Sequence, residues 1–300
     1  MFPSSLRGEI MRLIDMRVAG SHADDAYDFT FPSRPERWQG LAEKLPGLPP
    51  LVVDGRGRIV CGHDHLRLLQ QRGDAGCHAL QVDLAPAECL LLNFNVLQRL
   101  FGLNLQEKLL FVKKIVPLLP CAEIQRRADL GFALSAALLQ RLDVLLLEPF
   151  RSCMAGGRIG LKTALKLAGQ AEADRRAQLR VLQACAFSES RQWQMAQWLE
   201  EAAFREKKPI AALLSALDLP EAGGKPLPPA QVLQALHRLR FPLLARWEGE
   251  WESWSKKATG EPGVSLHHAP LFADGEVRII LRARDRAHAE KLLARLKKRT

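Results

Sequence analysis

Cys61, His63 and His65 alternate along the chain, and on an extended strand that spacing would put all three on one face, with Cys77 and His78 near enough to join them. Thiolate and imidazole are transition-metal ligands. The spacing matches no closed zinc pattern, however, so no metal site is expected. A Cys–His nucleophile has no better support, because nothing marks a third group to orient the imidazole. The other chemistry-bearing residues are cations. Arg126, Arg127, Arg151, Arg158, Lys162 and Lys166 lie mid-chain, and nine basic side chains face three acidic ones between Glu276 and Arg299, ending in Lys297, Lys298 and Arg299. Such residues hold phosphates, which position a protein on a nucleic acid without reading its sequence. The terminal run fits either a polyanion or the solvated face of a last helix.

Elements must carry these groups. LVVDGRGRIV over 51–60 reads as a hairpin with Asp54-Gly55 at its tip, followed by a helix at 65–71 that Gly73 stops. A strand at 13–18, a helix at 35–45 that opens on Pro35, and a short strand at 81–83 complete a small α/β unit. From Glu88 to Leu217 the pattern is helical. Asn104 with Glu107 predicts a capping box, and Leu105, Leu109, Val112, Ile115 and Val116 form one apolar face as far as Pro117. Helices at 121–130 and 135–147, split at Gly131, have a helix-turn-helix shape that a plain helical bundle shares. Further helices are expected at 161–168, 174–187, 192–205 and 210–216. Six Pro and Gly residues crowd 218–229 and predict a linker. Beyond it, Leu243, Leu244, Trp247, Trp251 and Trp254 recur at helical spacing, which suits a core or dimer seam better than a base-stacking platform. A strand at 264–268, a turn at Asp274-Gly275, a strand at 277–281 and a helix at 285–299 end the chain. So small a ββα unit needs a neighbour or a second copy of itself.

Composition sets the outer limits. Three hundred residues, 47% of them hydrophobic and 25% charged, make an ordinary globular chain of two or three domains with an excess of ten positive charges. No window approaches the ~18 uncharged apolar residues of a spanning helix, and the N-terminus lacks the apolar core of a signal peptide. Six scattered cysteines without a C-x-x-C pair read as reduced thiols. A cytoplasmic location is the expectation.

Four segments in order resemble the ParB family of partition proteins: LPPLVVDGRGRIVCGHDHLRLL, FNVLQRLFGLNLQEKLLFVKKI, CAEIQRRADLGFALSAALLQRL with GGRIGLKTALKLA, and GVSLHHAPLFADGEVRIILRARDRAHAEKLLARL. The first is similar to the family's strand-turn-strand-helix with its "GERRxR", the second to its "ENxxR" stretch, the third to its helix-turn-helix, and the last to its dimerisation unit. The resemblance implies an α+β, multidomain chain. A small ParB/sulfiredoxin-like α/β domain would span 1–90, an all-α helix-turn-helix domain 91–217, a linker 218–229 and a C-terminal ββα unit 230–300. It also implies a homodimer through 230–300, duplex DNA as ligand, a nucleoid-associated location, and a ParA-type ATPase as partner.

The resemblance further implies a site for CTP and magnesium at Gly62, His63, His65, Arg67, Asn95 and Arg99. Gly62 and Arg67 match "GERRxR", but His63, Asp64 and His65 replace its Glu and two Arg. Arg99 matches "ENxxR", whose Glu and Asn become Asn95 and Val96. Valine ligates no metal. CTP is therefore expected to bind weakly, and the family's CTPase activity to be weak or lost. Gly62 and Arg67 also admit a plainer reading as a turn glycine and a solvated helix arginine. For DNA, Arg126, Arg127, Arg158, Lys162, Lys297, Lys298 and Arg299 would hold phosphates, leaving only Ser135, Gln140 and Arg141 on the second helix to meet base edges. The alternative is an enzyme or nucleotide sensor of the same N-terminal fold, a CTPase, nuclease or kinase-like protein, whose DNA functions have decayed.

Overall fold

The computed structural model describes residues 11–18, 26–43, 49–217, 228–259, 264–272 and 276–297. The chain divides into two compact units, Met1–Ala196 and Gln197–Thr300. The architecture is α+β, with most residues helical and two small sheets.

The first unit begins with a four-stranded sheet in the order β1-β4-β2-β3, formed by β1 (Met11–Arg17), β2 (Leu51–Asp54), β3 (Ile59–Cys61) and β4 (Gly76–Val82). The hairpin is as expected. Asp54 closes its turn by accepting from the backbone N–H groups of Arg56 and Arg58, both at 2.9 Å, and from the Arg58 guanidinium at 2.7 Å. One sheet face buries Leu51, Val53, Ile59 and Ala79 against Leu66 and Leu69 of helix α2 (His63–Arg72), with α1 (Glu36–Ala42) packed beside it. Strand β4 is longer than the three residues expected at 81–83. Its N-terminal half pairs with β1 through Gly76↔Arg17 and Asp15↔His78, cross-strand partners that a local pattern does not reveal.

Helix α3 (Pro86–Phe101) starts on a proline at a first-turn position and packs on β3. Helix α4 (Leu105–Ile115) opens with the predicted capping box, both of its bonds at 2.8 Å. Then follow α5 (Cys121–Arg127), α6 (Ala136–Leu145), α7 (Phe150–Ala155), α8 (Leu161–Ala168), α9 (Glu172–Ala184) and α10 (Glu189–Glu206). Of these six, α7 has no counterpart in the sequence reading. It is six residues long, has no side-chain cap, and is held by burial of Phe150, Cys153 and Met154. The α/β layer and the helices up to Ala196, separated at residue 90 in the sequence reading, share this one unit.

The second unit takes the end of α10, then α11 (Ile210–Ala216), α12 (Pro229–Arg240), α13 (Pro242–Thr259), β5 (Val264–His268), β6 (Val277–Leu281) and α14 (Arg286–Lys297). Helix α12 had no separate place in the sequence reading. Strands β5 and β6 form an antiparallel pair. Most of the predicted linker, and the predicted Asp274-Gly275 turn, lie outside the described residues. The tryptophan stripe is partly an intrachain core. Trp251 meets His268 and Phe272, and Trp247 meets Phe272, while Trp247 and Trp254 stay half exposed.

Candidate nucleotide and nucleic-acid sites

Helix α2 begins at Gly62, whose φ of +96° is left-handed. A Cβ there would stand 2.7 Å from Leu51 Cδ2, so the close passage of this turn over β2 requires glycine. The same break corrects the expectation that Cys61, His63 and His65 share a strand face. Cys61 ends β3, whereas His63 and His65 lie in the first turn of α2, and all three are buried.

What surrounds that first turn is the chain itself. Segment 27–34 crosses the start of α2 and is fastened from several sides. The Asp64 carboxylate accepts from Ser33 Oγ at 2.7 Å and from the Arg34 backbone N–H at 3.0 Å. Arg67 donates to Asp64 at 2.7 Å and to Asp28 at 2.6 Å. Asp28 also accepts from the backbone N–H and hydroxyl of Thr30, at 2.9 and 2.6 Å. On the far side, Arg34 reaches the fully buried Glu107 of the capping box at 2.7 Å, Asn104 Nδ2 donates to the Phe31 carbonyl at 2.8 Å, and the Arg151 guanidinium lies 3.6 Å from the Phe31 ring centroid. Asn93, also fully buried, donates to the Tyr27 carbonyl at 2.9 Å.

Two acids therefore occupy the guanidinium that the sequence reading assigned to a phosphate. One of them, Asp64, stands where the resembling family has an arginine. Burial opposes ionisation of Asp28, but the hydrogen bonds from Thr30 and Arg67 hold its carboxyl below the usual carboxylate range. The same pairs raise Arg67 despite its partial burial. Burial pushes Glu107 up, against the opposing hydrogen bonds from Asn104 and Arg34.

The two histidines are buried. Neither ring nitrogen of His63 has a hydrogen-bond partner among the described residues, and His65 stacks on Trp38 at 5.1 Å between centroids with 17° between planes. Burial lowers both pKa values, that of His65 to about 4. The unfolded chain, with ordinary histidines near 6.5, thus binds protons that the folded chain refuses. Stability is whole above about pH 6.5 and falls as the pH drops from there toward 4. His65 accounts for about 2 kcal/mol of that loss once solvent screening is allowed for. Urea midpoints at pH 7.5 and pH 5 measure it. The expected result is a lower midpoint at pH 5 that His65→Phe partly restores; equal acid sensitivity in wild type and variant would refute the assignment to His65.

Asn95 and Arg99 do not join this cluster. They lie exposed one turn apart on α3 and, with Gln98, Gln125 and Arg126, line an open groove of about 510 Å³ between α3 and the end of α5. Arg127 is tied down beside it, bonded to Glu88 of α3 and, at 3.3 Å, to Glu123 of its own helix. Both acids hold its guanidinium charged, and Glu88 is lowered in turn by the Arg127 hydrogen bond. Among the described residues Arg126 has only a 3.7 Å contact to Glu123, and its side chain is 76% exposed.

The α5–α6 pair is joined by 128–135, with Gly131 at φ +74°. Ser135 caps α6 by accepting from the Leu138 N–H at 3.2 Å, and Arg141 donates to the Leu165 carbonyl at 3.0 Å. The exposed side of α6 is therefore Ala136, Ala137, Gln140 and Asp143, the last paired with Lys113. Arg158 is exposed, as is Lys162, whose Nζ sits 4.2 Å from the Trp193 ring centroid, with Lys166 on the same ring. Lys297 ends α14, and Lys298 and Arg299 lie outside the described residues.

The sequence reading missed Asp28, Ser33 and Arg34 as members of the α2 cluster. Asp28 and Arg67 are 39 positions apart, and no local spacing links them. Asp64 was visible as a departure from an arginine, but not as the residue that captures segment 33–34.

Comparison with known proteins adds little to this picture. No family model matches the chain, and no curated protein does. Among solved structures, it is similar to one described as the C2221 form of a Pnob8-like ParB-N domain, at 13% identity and a TM-score of 0.40, over 80% of this chain and 96% of that one.

Proposed function

We propose that the chain is a ParB-like, DNA-associated partition or nucleoid protein that acts as a dimer and whose nucleotide pocket is closed by its own side chains. The observation that carries the reading is a division of cations. Arg67, on the helix where a mononucleotide would sit, is neutralised by Asp28 and Asp64, whereas Arg99, Arg126, Arg158 and Lys162 stay exposed on the helical surface. Phosphate-holding capacity thus lies where a duplex can reach it. The side of α6 that would meet base edges offers Gln140 among alanines and an acid, so binding is general rather than operator-specific. The order of the four ParB-like sequence segments supports the same reading, and a ParA-type ATPase is the partner it implies.

The dimer has its own support in the second unit. Strand β6 shows Val277, Ile279 and Ile280 to solvent, Ile279 at 53% exposure, and its outer edge pairs with nothing among the described residues. An apolar edge strand of this kind invites another strand, and a two-fold pairing with its own copy is the commonest closed solution. At micromolar concentration the chain is expected to sediment near twice its 33.5 kDa. Ile279→Glu with Ile280→Glu should give a folded monomer. Wild type that runs as a monomer would contradict the dimer.

A further inference from the structure

We infer that the groove between α3 and α5 is a seat for the phosphodiester backbone, and that Asn95 and Arg99 serve a polynucleotide rather than a mononucleotide. The inference rests on the DNA-binding reading above and adds a specific site to it.

Three observations carry it. First, the polar part of the groove is made of cations and neutral amides: Arg99 and Arg126, with Asn95, Gln98 and Gln125 between them, and Asp129 as the one carboxylate in its lining. Amide N–H groups and guanidinium forks are the donors that phosphate oxygens take. Second, these cations are available. Arg99 forms no ion pair among the described residues, and Arg126 has only its distant contact with Glu123. Third, the walls are fixed. The bond from Arg127 to Glu88 pins the last turn of α5 against α3, and Lys108 Nζ donates to the carbonyl of Leu130, a lining residue, at 2.9 Å. Arg127 is therefore a strut, and its neighbours Arg99 and Arg126 are the contacts.

The groove is open and mainly polar, with Leu130 and Phe132 at one end of its lining. A backbone passing along it would need no base contact. It also lies directly before the turn into α6, so a strand held here runs onto the helix pair.

Duplex binding by the full chain across a salt series tests the site, with Mg·CTP and inorganic phosphate as separate arms. Arg99→Ala should weaken duplex binding roughly three- to tenfold at about 100 mM salt and lower the salt slope by about one. Arg99→Lys should keep the slope, and Asp129→Asn should tighten binding by removing a repelling charge. None of these exposed changes should alter the urea midpoint. If the wild type binds duplex and Arg99→Ala keeps its full slope, this assignment falls alone. If Arg99→Ala instead abolishes CTP binding and spares the duplex, the groove belongs to a mononucleotide and the inference is overturned. Wild type that binds no duplex at all would remove the DNA-binding reading and this site together.

Discussion

Duplex affinity is expected to fall by roughly a thousandfold between about 50 and about 200 mM salt. The size of the fall follows from the number of phosphates held. If the exposed cations of the helical region and the terminal run neutralise about six of them, the logarithm of affinity falls with a slope near five against the logarithm of salt, and a fourfold rise in salt costs about three decades. Lys297, Lys298 and Arg299 supply about half of those contacts in this account. Replacing all three by alanine should reduce the drop to about fortyfold over the same range. Because base readout is minimal, unrelated duplexes of equal length should give nearly the same curves. Fluorescence anisotropy measures both, and an unchanged slope in the triple variant would mean that the terminal run is only solvated.

Arg67→Ala is expected to destabilise the fold by about 2–4 kcal/mol rather than simply to lose a ligand. Removing one partner of a buried ion pair leaves the other charge uncompensated, and here two are left: the side chains of Asp28 and Asp64 are 8% and 6% exposed. Arg67 itself is 30% exposed, which places the cost toward the lower part of the range. Asp28→Asn with Asp64→Asn in the Arg67→Ala background should recover much of the loss. Urea unfolding decides it, and an unchanged midpoint would show that the pairs are not structural. The same geometry predicts poor CTP binding. Arg67 is already bonded to Asp28 and Asp64, and His63 and His65 are buried, so these residues offer little to a triphosphate.

Local chemistry accounts for what could be read from the sequence. The Asp54-Gly55 turn and the Asn104–Glu107 capping box are short-range devices, and each appears where its residues require. The α5–α6 pair was legible for the same reason, since Ser135 and Gly131 mark its turn. The long-range cluster was not. Nothing in the sequence brings Asp28 onto Arg67, or Arg34 onto Glu107, because tertiary packing sets those pairs across 39 and 73 positions. Arg127 and Arg141 looked like free cations and are instead bonded to Glu88 and to the Leu165 carbonyl, a distinction that depends on helix packing alone. The Trp stripe was legible as a helix face but not as one that turns Trp251 inward onto β5.

The central claim is that this chain holds duplex DNA through its surface and has given up nucleotide control of that hold. Titration of a labelled duplex with the 300-residue chain at about 50 mM salt, with and without Mg·CTP, tests it most directly. The account predicts saturable binding by wild type and superimposable curves in the two conditions, with no CTP consumed. Absence of duplex binding together with turnover of CTP would contradict it, and would favour an enzyme of the same N-terminal fold.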